Sequence, residues 1–71
     1  MQVQQGSQVE MEINGARQTW RIVGAGETDL GRGKVSFNAP LVQLIMGAGE
    51  GDQISGKILD REVLIKIFKI S

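Results

Sequence analysis

The residues with the most obvious chemical potential are two pairs of carboxylates in glycine-rich stretches, Glu27 with Asp29 and Glu50 with Asp52. Such pairs can hold a hard cation or divide the roles of acid and base between them. Neither pair has an apolar surrounding, and the alternating acids of a calcium loop, which end in a distant glutamate, are absent. We interpret both pairs as solvated surface charge.

Two glycine runs, 24–26 and 47–51, suggest a phosphate-binding loop, because glycine amides can surround a phosphate at the start of a helix. The first run leads into a predicted strand and the second follows a predicted helix, and neither ends in Gly-Lys-Ser/Thr. These are therefore turn glycines. The chain also has no cysteine and no histidine, which removes the commonest metal ligands and general bases. We expect no enzyme activity, no cofactor and no metal.

The chain has 71 residues, with eight basic and eight acidic side chains and a formal net charge of zero. No overall field would draw it to nucleic acid or to an anionic membrane. It has no apolar run near the ~20 residues of a membrane span and no signal-peptide pattern at its start. We expect a cytoplasmic protein that binds another protein, with no membrane contact and no sequence-specific contact to nucleic acid.

Five strands and one helix are needed to position these residues. Residues 9–13 alternate apolar and polar side chains, Asn14-Gly15 is the strongest hairpin signal in the chain, and residues 18–23 form the returning strand. A loop follows over residues 24–33, in which Leu30 is expected to contact the core.

A strand over residues 34–37 then leads into a short helix. Asn38 is the predicted N-cap, Pro40 suits the first helical turn, and Gly47 ends the helix. Leu41, Leu44 and Ile45 are expected to form its apolar stripe, with Val42 and Gln43 pointing elsewhere. A helix of two turns is unstable alone, so it must lie on a sheet.

The remaining strands are predicted over residues 53–58 and 62–70, with a turn at Asp60-Arg61 between them. The last strand is apolar on both faces, which indicates a central position in the sheet. We expect an α+β domain over residues 9–71, in which an antiparallel or mixed sheet of about five strands packs on one short helix. Residues 1–8 are predicted to be a flexible lead-in. The three aromatic residues, Trp20, Phe37 and Phe68, are assigned to the core.

The order of several short motifs resembles one protein family. Thr-Trp-Arg-Ile-Val-Gly at 19–24 precedes an acidic loop, and Gly-Lys-Val-Ser-Phe-Asn-Ala-Pro-Leu at 33–41 precedes Met46-Gly47 and Gly51-Asp52. This succession resembles the C-terminal domain of the bacterial Gre transcription elongation factors. The chain departs from the family pattern where Ala39 replaces a serine, where Val42 and Gln43 replace Ala-Arg, and where residues 59–61 replace Pro-Gly-Gly.

The resemblance implies an FKBP-like fold, in which a bent sheet wraps a short helix, without prolyl isomerase activity. It also implies docking on the coiled coil of the largest subunit of RNA polymerase, at the rim of the secondary channel. In that family a separate helical hairpin with an acidic tip promotes transcript cleavage. No such hairpin is predicted in these 71 residues, so we expect no cleavage-stimulating activity from them alone.

The predicted partner-binding site is the strand-to-helix corner, comprising Phe37, Asn38, Ala39 and Pro40, together with Gln43 on the helix. Plain helix capping is the structural alternative for this corner. Two other functions remain as alternatives. One is a generic small interaction domain that forms homo-oligomers through an exposed strand such as residues 62–70. The other is an FKBP-like isomerase, which three aromatic residues disfavour because they are too few to fill both a core and a substrate pocket.

Overall fold

A single curled sheet of five strands encloses the helix in the computed structural model, which describes residues 1–71. The strands lie in the order β3-β2-β1-β5-β4. All neighbouring strands are antiparallel except β2 and β3, which are parallel. The predicted α+β class, with a bent mixed sheet and one short helix, is confirmed. The strands are β1 (Gln8–Ile13), β2 (Ala16–Val23), β3 (Lys34–Ser36), β4 (Gln53–Ile58) and β5 (Arg61–Ile70), and the helix is α1 (Pro40–Ile45).

The inner face of the sheet, which faces α1, carries the core. Alternate residues of β1, β2 and β5 point inward, as does Val35 of β3, and α1 adds two side chains that are fully buried. Together with Val3, these side chains form one apolar cluster, in which each buried aliphatic side chain contributes roughly 1.5–3 kcal/mol. Its members are Val3, Val9, Met11, Ile22, Val35, Val42, Ile45, Ile65, Ile67 and Ile70.

Residues 1–8 contact this core, which corrects the prediction of a lead-in without fixed contacts. Val3 is 1% exposed, its N–H donates to the Ala48 carbonyl at 2.8 Å, and its carbonyl accepts from the Gly47 N–H at 2.9 Å. Ser7 is also buried, and its hydroxyl accepts a hydrogen bond from the Gln4 N–H. The segment therefore covers the C-terminal end of α1 and belongs to the domain.

Two apolar side chains lie where the sequence pattern did not place them. Val42 was predicted to point away from the core, but it is fully buried together with Ile45, while Leu41 and Leu44 are half-buried. A helix enclosed by a curled sheet can bury more than one stripe, which explains the difference. Leu30 was expected to contact the core, but it is 69% exposed and begins a short 3-10 turn.

Strand β5 changes its alternation at one residue. Met11 pairs with Ile67 and Glu10 pairs with Lys69, so Phe68 is an extra residue on β5, as in a β-bulge. The bulge returns Ile70 to the inner face and leaves Phe68 on the outer face. There Phe68 is 36% exposed, with the Arg17 guanidinium 4.3 Å from its ring centroid. The assignment of Phe68 to the core was therefore wrong, whereas Trp20 and Phe37 do pack against the core.

The two hairpins of the sheet have turns of equal length. Asn14-Gly15 joins β1 to β2, as predicted, with φ of 49° and 88°. The turn between β4 and β5 is Leu59-Asp60, with φ of 51° and 64°, because Ile58 pairs with Arg61. This corrects the predicted turn at Asp60-Arg61 by one residue.

Candidate partner-binding site

The predicted site forms a continuous corner between β3 and α1. The Phe37 N–H donates to the Val23 carbonyl at 2.8 Å, which extends the contact between β2 and the β3 side of the corner. Pro40 is the first helical residue, as predicted, because its fixed φ suits that position and its missing N–H is not needed there. Asn38 and Pro40 are exposed, whereas Phe37 and Ala39 are half-buried and pack against the core.

The N-cap of α1 is Ala39, which corrects the prediction that Asn38 caps the helix. Ala39 has an extended backbone, with φ of −64° and ψ of 142°, and no side chain caps the helix. Instead, the Asn38 Oδ1 accepts a hydrogen bond from the hydroxyl of Ser36, which is itself 5% exposed. The Asn38 side chain thus braces the corner from outside the helix, and its exposed part stays available to solvent.

Gln43 joins the corner although it lies one turn further along α1. Its Nε2 donates to the Phe37 carbonyl at 2.8 Å, and its backbone N–H donates to the Ala39 carbonyl at 3.0 Å. The Gln43 side chain is exposed. The structure therefore brings all five predicted residues into one surface, which we call the corner: Phe37, Asn38, Ala39, Pro40 and Gln43.

An apolar cleft that the sequence did not reveal adjoins the corner. It has a volume of about 630 Å³ and lies between the start of α1 and the β4–β5 turn. Leu41, which directly follows Pro40, connects the cleft to the corner. The lining residues, which we call the hairpin cleft, are Ile13, Asn14, Leu41, Ile58, Leu59, Arg61, Glu62 and Val63. Periodicity could not predict this cleft, since its residues come from three separate stretches of the chain, 13–14, 41 and 58–63.

The acidic side chains of the glycine-rich stretches bond to the chain itself. The Glu27 and Asp52 carboxylates accept from the Gly24 and Gly49 N–H groups at 2.9 and 2.8 Å. Glu50 accepts from the Ile70 N–H at 2.8 Å, and Asp29 lies 3.5 Å from the Arg32 Nε.

Glu27, Asp29 and Asp52 thus make contacts within their own turns, and Glu50 ties its loop to β5, which refines their interpretation as solvated charge. The described residues hold no group of three or more His, Cys, Asp or Glu side chains arranged to bind a metal ion.

The whole chain matches one family model. Residues 1–71 match the model described as the C-terminal domain of transcription elongation factor GreA/GreB. The chain belongs to the GreA/GreB family.

Two GreA relatives show how much of a Gre factor the chain represents. Transcription elongation factor GreA of Bacillus licheniformis is 34% identical over 58 residues, which cover 82% of this chain and 37% of the relative. GreA of Desulfovibrio desulfuricans is 34% identical over 68 residues, which cover 93% of this chain and 42% of the relative. The chain thus spans less than half the length of these curated relatives.

A solved structure supports the Gre fold independently. GreA factor homolog 1 (Gfh1) of Thermus thermophilus superposes with a TM-score of 0.79 at 23% identity, over 100% of this chain and 49% of that protein. At this identity the similarity concerns the fold alone. This Gre domain contains no helix with the length and hydrophobicity that crossing a bilayer requires.

Proposed function

We propose that this Gre domain is a docking module that binds RNA polymerase in the cytoplasm. The observation that carries the proposal is the match of all 71 residues to the C-terminal domain of a transcription elongation factor family. By the resemblance stated above, the partner element is the coiled coil of the largest subunit, at the rim of the secondary channel.

The corner supports this proposal by its exposure and its rigidity. Pro40, Asn38 and Gln43 present a fixed ring side chain and two amide side chains to solvent, and hydrogen bonds to Ser36 and Phe37 hold both amides in place. Amide groups can both donate to and accept from a polar helix surface. Preorganised contacts of this kind lose less conformational entropy on binding.

The hairpin cleft supports the proposal by supplying apolar area beside these polar groups. An interface usually combines a buried apolar centre with a polar rim. In our proposal, the cleft receives an apolar side chain of the partner helix, while the corner supplies the polar rim.

Two substitutions test the corner. Pro40→Asp places a charge on the exposed surface at a helical position that favours acidic residues, and Gln43→Glu adds a charge one turn later. We expect each to weaken binding to purified RNA polymerase by about tenfold, which corresponds to about 1.4 kcal/mol. Gln53→Glu, on an exposed position of β4, is the matched control and should bind like the original chain. Circular dichroism and Trp20 fluorescence check that the fold persists.

Unchanged affinity in both variants would refute a role for the corner. Gln43→Glu also removes the donor to the Phe37 carbonyl, so loss of binding by this variant alone would indicate a structural effect. A cleavage assay on backtracked complexes should show no stimulation by residues 1–71 alone, because their one helix has six residues and the acidic hairpin implied by the resemblance is not among them.

The alternative of a homo-oligomerising domain is tested by measuring molecular mass in solution with and without polymerase. Homo-oligomerisation through the edge of residues 62–70 is contradicted by the structure, since β5 is paired on both sides, by β1 and by β4. Only β3 and β4 have a free edge. A monomer that joins the polymerase peak supports docking, and a dimer that ignores polymerase supports the alternative.

A further inference from the structure

Charge is unevenly distributed on this neutral chain. The outer face of the sheet, which points away from α1, carries six of the eight basic residues and three of the eight acidic ones. The excess of three positive charges on one face is balanced by acids in the loops. The basic residues of this face are Arg17, Arg21, Lys34, Lys57, Lys66 and Lys69, and the acidic ones are Glu10, Glu12 and Glu62.

Half of these cations have an acidic neighbour. Arg17 forms a salt bridge of 2.8 Å with Glu10. The register places Lys66 opposite Glu12 and Lys57 opposite Glu62. These three pairs lie along β1, β2, β4 and β5 and cancel most of the local field there.

Two of the three unbalanced cations lie at the end of the face where β3 lies, and the third, Lys69, lies on β5. Arg21 pairs directly with Lys34 across the β2–β3 ladder, and Arg32 comes just before β3. Lys69 lies opposite Glu10, which Arg17 already holds. No acid other than Asp29, which is 3.5 Å from Arg32, forms an ion pair with these four cations.

These cations line two shallow depressions that share Gln8 and Thr19. One has a volume of about 230 Å³ and contains Arg21, Arg32 and Lys34, and the other has a volume of about 280 Å³ and contains Lys69. No hydrophobic residue lines either depression. The second depression is also lined by Glu10, whose carboxylate is 2.8 Å from the Arg17 guanidinium. We call this surface, which carries four basic residues and one acidic residue, the basic trough: Gln8, Glu10, Thr19, Arg21, Arg32, Lys34 and Lys69.

The chemistry of the basic trough fits phosphate groups. Arginine, lysine, threonine and glutamine side chains all donate hydrogen bonds, and arginine binds phosphate oxygens in bidentate fashion. The trough crosses from β3 to β5, three strand spacings or about 14 Å. This is close to the width of about 12 Å of the major groove of B-DNA, so that Lys34 and Lys69 can reach phosphates on its two sides.

The trough contains no aromatic side chain, which favours double-stranded over single-stranded nucleic acid as its ligand. Proteins that bind single strands stack bases on aromatic rings. The one exposed ring of the outer face, Phe68, lies outside the trough and beneath Arg17. We propose that the basic trough binds the phosphate backbone of double-stranded DNA without regard to sequence.

The test is titration of a labelled duplex of about 20 base pairs of mixed sequence, followed by fluorescence anisotropy at several salt concentrations. Contact with three to four phosphates predicts a slope of log K against log salt of about −3. The triple variant Arg21→Gln, Lys34→Gln, Lys69→Gln should bind about tenfold more weakly at low salt, with a slope of about −1, because Arg32 remains.

The matched control removes the same charge elsewhere. Lys57→Gln, Lys66→Gln, Arg61→Gln should bind duplex DNA within about twofold of the original chain, because these side chains lie outside the trough. Circular dichroism confirms that both triple variants are folded.

Four outcomes would overturn the proposal: no binding of duplex at low salt, equal losses in the two triple variants, tighter binding of single-stranded RNA than of duplex, or equal binding of polyglutamate. Equal losses in the two triple variants would show that net charge alone accounts for binding. Tighter binding of single-stranded RNA, or equal binding of polyglutamate, would mean that the trough binds a different partner. None of them bears on the docking of polymerase at the corner, which has its own variants.

Discussion

The two hairpins of the sheet have turns of the same backbone conformation but of different residues. Both turns have two residues, and both require a positive φ at each of them. Asn14-Gly15 supplies residues that adopt this conformation readily, whereas Leu59 lies in a region that costs most side chains about 1–2 kcal/mol, and Asp60 tolerates that region better than leucine does. The first hairpin therefore has a favourable turn sequence, whereas the second forms without one, between two strands that pair along the whole length of β4.

The surroundings of the two turns differ accordingly. The Asn14 side chain accepts from the Leu64 N–H at 2.8 Å, and its own N–H donates to the Leu64 carbonyl at 2.9 Å, so the first turn is tied to β5. Leu59 is 91% exposed and borders the hairpin cleft. A non-glycine turn with positive φ that persists beside a cleft is a reason to look for function there.

Moving the unfavourable turn into the first hairpin should have the largest effect. Asn14→Leu with Gly15→Asp should lower the free energy of unfolding by about 3 kcal/mol, since two residues then strain the backbone and the hydrogen bond to Leu64 is lost. Urea unfolding followed by Trp20 fluorescence measures the change. Asn14→Asp keeps an acceptor for the Leu64 N–H and should cost less than about 1 kcal/mol. Similar losses in both variants would show that the turn conformation is not the cause.

Disturbing the contact between α1 and β4 of the second hairpin should have an intermediate effect on stability. A Cβ atom at Gly56 of β4 would lie 2.7 Å from the Leu44 Cδ2 and 3.0 Å from its Cδ1. Gly56→Ala should therefore destabilise the domain by about 2 kcal/mol through overpacking. Adding Leu44→Ala removes the clash, so the double variant should lose less than the sum of the two single variants.

Thermal and urea unfolding of the four proteins complete this cycle. Ser55→Ala, on the exposed outer face of β4, is the control and should change stability by less than about 0.5 kcal/mol. If the losses of Gly56→Ala and Leu44→Ala simply add, the packing of Leu44 on β4 does not depend on the absence of a side chain at position 56.

Giving the second hairpin the residues of the first should have the smallest effect and the opposite sign. Leu59→Asn with Asp60→Gly should raise the free energy of unfolding by about 1 kcal/mol, because asparagine and glycine adopt a positive φ with less strain than leucine and aspartate. Leu59→Ala still requires a positive φ and should leave stability nearly unchanged. If the double variant is no more stable than the original chain, the second turn holds no strain. If it also binds polymerase more weakly, the exposed leucine contributes to docking.

The sequence predicted the elements whose signals are local. The bounds of β4 agree with the prediction, Asn14-Gly15 forms the predicted turn, and Pro40 begins the helix. Each of these depends on alternation or on the φ preference of one or two residues. The corner could be located for the same reason, since strand, proline and helix follow one another without interruption.

What the sequence missed depends on contacts between distant residues. Val3 is a lone apolar residue in a polar segment, and only the backbone of Ala48 and Gly47 gives it a place in the core. Phe68 disturbs an alternation that looks regular in the sequence, because one extra residue in β5 is visible only in its register against β1. The left-handed Leu59 has no compositional signal, since leucine is not a turn residue.

The bulge at Phe68 means that β5 could lose one residue without losing its pairing with β1. Lys69 and Ile67 pair with consecutive residues of β1, so a chain lacking Phe68 could keep every cross-strand partner it now has. Such a deletion would remove the extra bend that a bulge adds and open the arc of the sheet around the helix. The extra residue of β5 thus contributes to the curvature of the sheet whatever its side chain is.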